Sequence, residues 1–269
     1  MTTTIDLDIL IRESADAYHA KAGEYLTSHL LADFRKCPLL YHRKCLGLVE
    51  DKDQPSYVVG RATHTLLLEG RDRYEAEYAV GGPINPTTGK PFGKTSKKFT
   101  QWLQAQGKPF LKDDHAIEAE QMAAAVKGHE AAMTLLSEGV PEGVVRTEYC
   151  GVPCQIRIDW LNPEYGIIDF KTCNNLTWFE SDARKFGYAH QLAFYRAVLA
   201  QVLDQTLLPV HLIAVEKAPP QRVGVWVMGQ DVLAIAQQEN EAAIGRLIEC
   251  QKADVWPTGY EEPRVFDYL

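Results

Sequence analysis

Arg157-Ile158-Asp159-Trp160-Leu161-Asn162-Pro163-Glu164-Tyr165-Gly166-Ile167-Ile168-Asp169-Phe170-Lys171 is the stretch that decides the fold. Two apolar runs with strand character flank residues 162–166, a cluster of turn-forming residues. A hairpin centred on Glu164 sets Leu161 opposite Ile167, Trp160 opposite Ile168 and Asp159 opposite Asp169. Side chains alternate along a strand, so Asp159, Asp169 and Lys171 then share one face. Directly opposed residues have Cβ atoms about 4.5–5.5 Å apart, where like charges repel. Two carboxylates so placed need a cation, a proton or solvent to relieve them. Carboxylate oxygens suit Mg2+ or Mn2+, and a lysine beside such an ion can orient water and stabilise charge on phosphorus. The same residues also read as a surface hairpin with solvated charges, or as one tied by an Asp169–Arg157 ion pair across the strands.

Outward from the hairpin, residues 144–150, 152–161 and 165–173 read as three consecutive antiparallel strands. A helix over 179–203 with a break at Gly187, strands at 210–215 and 222–228, and a helix over 231–252 capped by Asp231 follow. Before the sheet the pattern is mainly helical. Residues 27–48 form two short helices broken at Pro38, and a helix over 57–69 ends at Gly70. Residues 74–80 suggest a strand, 81–93 a loop, and 96–106 and 113–136 helices, the last interrupted near Gly128. Helices on either side of such a sheet predict an α/β (α+β) fold. No linker divides the chain. The expectation is one domain over 1–269, mainly helical to 140, with sheet and helix over 141–230 and a helix and tail over 231–269.

At 269 residues, 46% hydrophobic and 24% charged, the chain has ordinary globular composition and ample material for a core. It carries no membrane-length apolar run, and its first residues lack the charged start and apolar centre of a signal peptide. A soluble, cytoplasmic protein is expected. None of the six cysteines forms a C-x-x-C pair, so free thiols are expected rather than zinc or iron–sulfur ligands. A net charge of −8 argues against a basic coat for nonspecific nucleic-acid binding but permits a local basic groove. Lys90, Lys94, Lys97 and Lys98, set among Gly89, Pro91 and Gly93, make one basic stretch. It reads equally as a solvated loop or as a phosphate-contacting one.

Three further features bear on the site. His64 follows Gly60 by four residues on a helix, so the two share a face, and the glycine leaves room for a partner element or an ion. A core histidine would give the same pattern. Glu148 sits one strand before Asp159, facing it or not according to the register of the turn near Gly151. Tyr188, Gln191 and Tyr195 form a polar-aromatic stripe on the next helix, either against the hairpin face or as half-buried hydrogen-bonding tips. Phosphate-binding loops, dinucleotide fingerprints, serine-nucleophile elbows and H-E-x-x-H motifs do not occur.

In order, Gly60-Arg61-Ala62-Thr63-His64, Asp159, Asp169-Phe170-Lys171 and Gln191-Leu192-Ala193-Phe194-Tyr195 resemble the PD-(D/E)XK nuclease superfamily, in its RecB-like and RecE-like (exodeoxyribonuclease VIII type) branch. The segments Phe34-Arg35-Lys36-Cys37-Pro38 … Tyr41 and His64-Thr65-Leu66-Leu67-Leu68-Glu69 resemble RecE-type domains as well. The likeness runs from about Tyr25 to the C-terminus.

The resemblance implies a restriction-endonuclease-like core, a mixed central sheet flanked by helices. It implies Mg2+, with Mn2+ as an alternative, held by Asp159, Asp169, the Phe170 carbonyl, His64 and Glu148. Lys171 would act on the attacking water, and Gln191 and Tyr195 would support the site or touch the DNA backbone. The implied reaction is hydrolysis of linear double-stranded DNA from its ends, 5′ to 3′, leaving 3′ single strands for an annealing partner. A homo-oligomeric ring around DNA would reconcile the acidic net charge with DNA binding. Ile158 stands where the superfamily name has proline, and the C-terminal cysteine cluster of iron–sulfur relatives is absent. A RecB-like endonuclease or single-strand-specific nuclease, and a catalytically inert DNA-binding module, are the alternatives.

Overall fold

The computed structural model describes residues 5–49 and 55–265; the last four residues of the tail lie outside them. The N-terminal half is helical. It comprises α1 (Ala15–Ala20), α2 (Ser28–Lys36), α3 (Pro38–Cys45), α4 (Pro55–His64), α5 (Arg71–Glu77), α6 (Lys97–Gln106), α7 (Asp113–Lys127) and α8 (Glu130–Leu135). Each boundary has a local cause. Thr27 caps α2 by accepting from the Leu30 amide, and Pro38 opens α3 at a position where no amide is needed. The chain continues from α4 into a π-helical turn, Thr65–Glu69, and Gly70 ends it at φ 92.

The strand expected over 74–80 is instead α5 followed by two extended residues, β1 (Ala79–Val80), which pair in parallel with β2 (Phe110–Leu111). Helical spacing prevails because Arg73 pairs with Glu77 one turn on, at 2.7 Å, and Tyr74 is buried beneath.

A five-stranded sheet follows, in the order β3 (Val140–Tyr149), β4 (Val152–Asn162), β5 (Gly166–Cys173), β6 (Val210–Glu216), β7 (Val223–Val227). Neighbours are antiparallel except β5 and β6, which are joined in parallel by a crossover containing α9 (Phe179–Phe186) and α10 (Tyr188–Ala200). A parallel pair needs such a long crossover, and the sheet is therefore mixed. The last helix is α11 (Gln230–Ala253), for which Gly229, not Asp231, holds the cap position. Asp231 lies in the first turn, where its charge still suits the helix dipole.

The sheet is covered on both faces. Ile156, Ile158 and Ile167 pack with Leu192, Val198 and Leu199 of α10 and with α2 and α11. On the other face Ile168, Phe170, Ile213 and Val215 meet Val59 of α4, Met122 and Val126 of α7, and Leu135 of α8. The candidate residues lie at the split between β4 and β5. No helix among the described residues is long and apolar enough to cross a membrane. All six cysteines are free.

Candidate active site

The hairpin forms with part of the expected register. Asn162 pairs with Gly166, Leu161 with Ile167 and Trp160 with Ile168. The turn is held by the Asn162 side chain, whose Oδ1 accepts from the Glu164 and Tyr165 amides at 2.8 and 3.0 Å. The ladder stops one pair before Asp159 and Asp169, so the two carboxylates are not a cross-strand pair on one face. Like charges would repel there. Asp159 instead turns its Oδ2 into the gap and accepts from the Phe170 amide at 2.8 Å.

Asp169 and Lys171 point to the α10 side. Lys171 Nζ lies 3.0 and 2.7 Å from the two Asp169 oxygens and 4.9 Å over the Tyr188 ring. Gln191 Nε2 donates to Asp169 Oδ1 at 3.4 Å and lies 3.3 Å from the Tyr195 hydroxyl. The stripe of α10 therefore positions Asp169 from behind. The alternative Asp169–Arg157 pair does not form: Arg157 lies 2.7 Å from Glu142 Oε2, and Asp169 pairs with Lys171.

On the other side of the gap His64 bridges two acids. Its Nδ1 is 2.8 Å from Glu142 Oε1 and its Nε2 is 3.0 Å from Asp159 Oδ2. Gly60 makes this approach feasible. A Cβ there would stand 3.2 Å from Thr172 Oγ1 of β5, so a side chain would crowd the helix against the strand.

Glu148 does not join the cluster. It is exposed and pairs with Pro153 at the far end of the β3–β4 hairpin. The acid that does is Glu142, which lies opposite Asp159 where the β3–β4 ladder skips a pair. Its φ of 54 departs from strand geometry, and it is buried. Cys150 and Gly151 both have positive φ and form a two-residue turn between Tyr149 and Val152. Counting back from that turn sets Glu142 against Asp159, whereas a turn placed at 151–153 does not.

Alternate residues of β5 bond to β6, as Ile167 N to Pro209 O and Lys217 N to Cys173 O show. Phe170 therefore directs both its N–H and its C=O toward β4 and the gap. The lysines of the basic stretch lie elsewhere. Lys90, Lys94, Lys97 and Lys98 are exposed, Lys97 and Lys98 in the first turn of α6. Lys94 pairs with Asp113 at 3.6 Å and lies over the Phe110 ring. Among the described residues no hydrogen bond or ion pair joins any of the four to the cluster.

The electrostatics follow from the geometry. Burial disfavours the His64 imidazolium, but Asp159 and Glu142 outweigh it and hold the pKa well above the usual histidine range. Burial would raise Asp159; the His64 cation and its hydrogen bond, with Lys171 and the Phe170 amide, bring it below the carboxylate range instead. Asp169 is driven up, first by burial and then by Asp159, and the ammonium of Lys171 only partly offsets them. Lys171 would lose affinity for its proton through burial, yet Asp169 and Asp159 hold it above the ordinary lysine value.

The donor set fits a divalent cation. His64, Glu142 and Asp159 each offer an atom within 4.8 Å of the others. Ligands about 2.0–2.2 Å from one ion stand comparably close. Two carboxylates with one imidazole make a mixed oxygen and nitrogen donor set of the kind that holds a divalent metal ion.

The sequence matches, over residues 27–266, the family described as a PDDEXK-like domain of unknown function (DUF3799). The chain belongs to this family. Its mixed sheet between helices is thus a PD-(D/E)XK fold. The fold is also that of a crystal structure of a protein from Eubacterium rectale, provisionally named an exonuclease. The two chains are 17% identical, with a TM-score of 0.68 over 96% of each. A search of curated proteins finds no match.

Proposed function

We propose that the protein is a metal-dependent deoxyribonuclease of the RecE type. It hydrolyses linear double-stranded DNA from its ends, 5′ to 3′, and leaves 3′ single strands for an annealing protein in recombination. The observation that carries this reading is the convergence of His64, Glu142 and Asp159 beside the Asp169–Lys171 pair. An inert module would have little reason to keep three carboxylates together at a cost in repulsion and burial. The Eubacterium rectale protein, by its provisional name, supports the exonuclease class.

A divalent cation held by His64, Glu142, Asp159, the Phe170 carbonyl and Asp169 would polarise the scissile phosphate and the attacking water. Lys171 keeps its proton, so it serves as a donor to the developing charge on phosphorus and to the water. Gln191 and Tyr195 fix Asp169, and Arg157 holds the second oxygen of Glu142. Basic residues, Lys90, Lys94, Lys97 and Lys98 among them, would meet the DNA backbone, within a ring of subunits in cytoplasmic solution.

Incubation with linear and closed circular duplex, in Mg2+, in Mn2+ and in EDTA, tests the reading. Loss of linear DNA alone, dependent on metal, is expected. Cutting of the circle would shift it to an endonuclease, and binding without cleavage would end it.

A further inference from the structure

Lys171 is the start of a ladder of side chains that leads out of the site. Its Nζ lies 4.9 Å over the Tyr188 ring. The Tyr188 ring is 6.0 Å from that of Phe186, with 31° between their planes. Lys185 Nζ in turn lies 5.7 Å over Phe186. Gly187 produces this order. It closes α9 at φ 71 and opens α10, so the residues on either side of it bring their rings together.

Phe186 is 61% exposed, and Arg184 and Lys185 beside it are exposed and form no ion pair among the described residues. Lone exposed apolar residues are common and need no explanation. Here the exposed ring is the outer end of a continuous path from Lys171, which is half-buried beside Asp169. Basic side chains in the last turn also suit the α9 dipole, but that does not account for an aromatic ring kept in water between them. Rings interleaved with cations are how proteins hold single-stranded nucleic acid: bases stack on the rings, and the cations meet phosphates.

We propose that Phe186 and Tyr188, with Arg184 and Lys185, form a stacking platform for unpaired bases of the DNA strand next to the scissile phosphate. This rests on the nuclease reading and deepens it, because it requires the end of a duplex to be opened before cleavage. Phe186 takes the outer base and Tyr188 the base beside Lys171. The strand enters along the C-terminal end of α9 and delivers its phosphate to the Asp169–Lys171 pair. Blunt ends are then poorer substrates than frayed ones.

The test uses the full chain and a DNA strand of about twelve nucleotides carrying 2-aminopurine near one end, in EDTA and in Ca2+. Quenching of the probe on binding is expected. Phe186→Ala should weaken binding about tenfold and remove the quench, whereas Phe186→Trp should keep both. With Mg2+ or Mn2+, Phe186→Ala should raise KM for frayed duplex more than it lowers kcat. Binding and quenching by Phe186→Ala equal to wild type would overturn the platform, as would wild-type binding with no quench. If the wild type degrades linear DNA but does not hold the strand in either solution, the platform fails and the nuclease reading survives. If it neither holds the strand nor degrades DNA, both fail.

Discussion

Gly60 of α4 lies so close to Thr172 of β5 that an added Cβ would stand 3.2 Å from the threonine Oγ1. That contact sets the distance between helix and sheet, and His64, one turn on, reaches Asp159 because of it. Gly60→Ala requires a shift of a few tenths of an ångström and gains about 1 kcal/mol in helix propensity, so stability should change little. Gly60→Val has no such room and should cost about 1–3 kcal/mol through overpacking. Thermal melting measures the cost. A titration with Mn2+ should show weaker binding in Gly60→Val, since His64 is pushed from Asp159. Equal Mn2+ affinity in the two variants would mean that the contact does not position the histidine.

Asp159→Ala, Asp169→Ala and Lys171→Ala should each lower cleavage of linear DNA by about a hundredfold or more, the loss typical of removing a group that stabilises the transition state. Asp169→Asn separates chemistry from folding. Its carboxylate is buried and disfavoured as an anion, so the amide should leave the metal-free protein at least as stable near neutral pH while removing activity. Circular dichroism and melting in EDTA check the fold. Near-normal cleavage by any of the four would sink the site assignment.

The two acids of β3 offer a sharper comparison. Glu142→Gln removes a ligand from the His64 cluster and leaves Arg157 facing an amide. It should weaken metal binding at least tenfold and reduce cleavage in proportion. Glu148→Gln, at the exposed far end of the strand, should match wild type in both. Calorimetry with Mn2+ and an initial-rate assay decide between them. Loss in Glu148→Gln with Glu142→Gln unharmed would make Glu148, not Glu142, the acid of the site.

Much of this site was legible in the chain because its signals are local. The turn at 162–166 gave the pairing of Leu161 with Ile167, and helical spacing gave Gly60 with His64 and Gln191 with Tyr195. The parts that were not legible depend on where chain direction changes. Glu142 required the Cys150–Gly151 turn, whose positive φ values no typical Asn-Gly or Asp-Gly pair announced. The parting of β4 and β5 at Asp159 depends on a histidine from a distant helix and on a backbone amide that takes the carboxylate out of the ladder. Register alone cannot reveal such a split. The α5 helix is not legible because Tyr74 and the apolar residues after it match a short strand as well as a turn of helix.

The proton on His64 gives a pH dependence with a definite sign. Folding raises its pKa, through Asp159 and Glu142, above the value of about 6.5 for a free histidine. The folded protein thus binds a proton that the unfolded chain gives up. The resulting stability is fully present below that unfolded value and is lost as pH rises through the higher folded one. In EDTA, wild type should therefore exceed His64→Gln in stability by a margin that shrinks as pH climbs above neutral. Mn2+ reverses the trend, because the ion binds the neutral imidazole and must displace the proton. Its affinity for wild type should rise across the same window, while that of His64→Gln stays nearly flat. Denaturant melts in EDTA and Mn2+ titrations over a pH series read the two effects separately. A stability margin that widens with pH in EDTA would show that His64 is neutral in the metal-free fold, held by packing rather than by the two carboxylates.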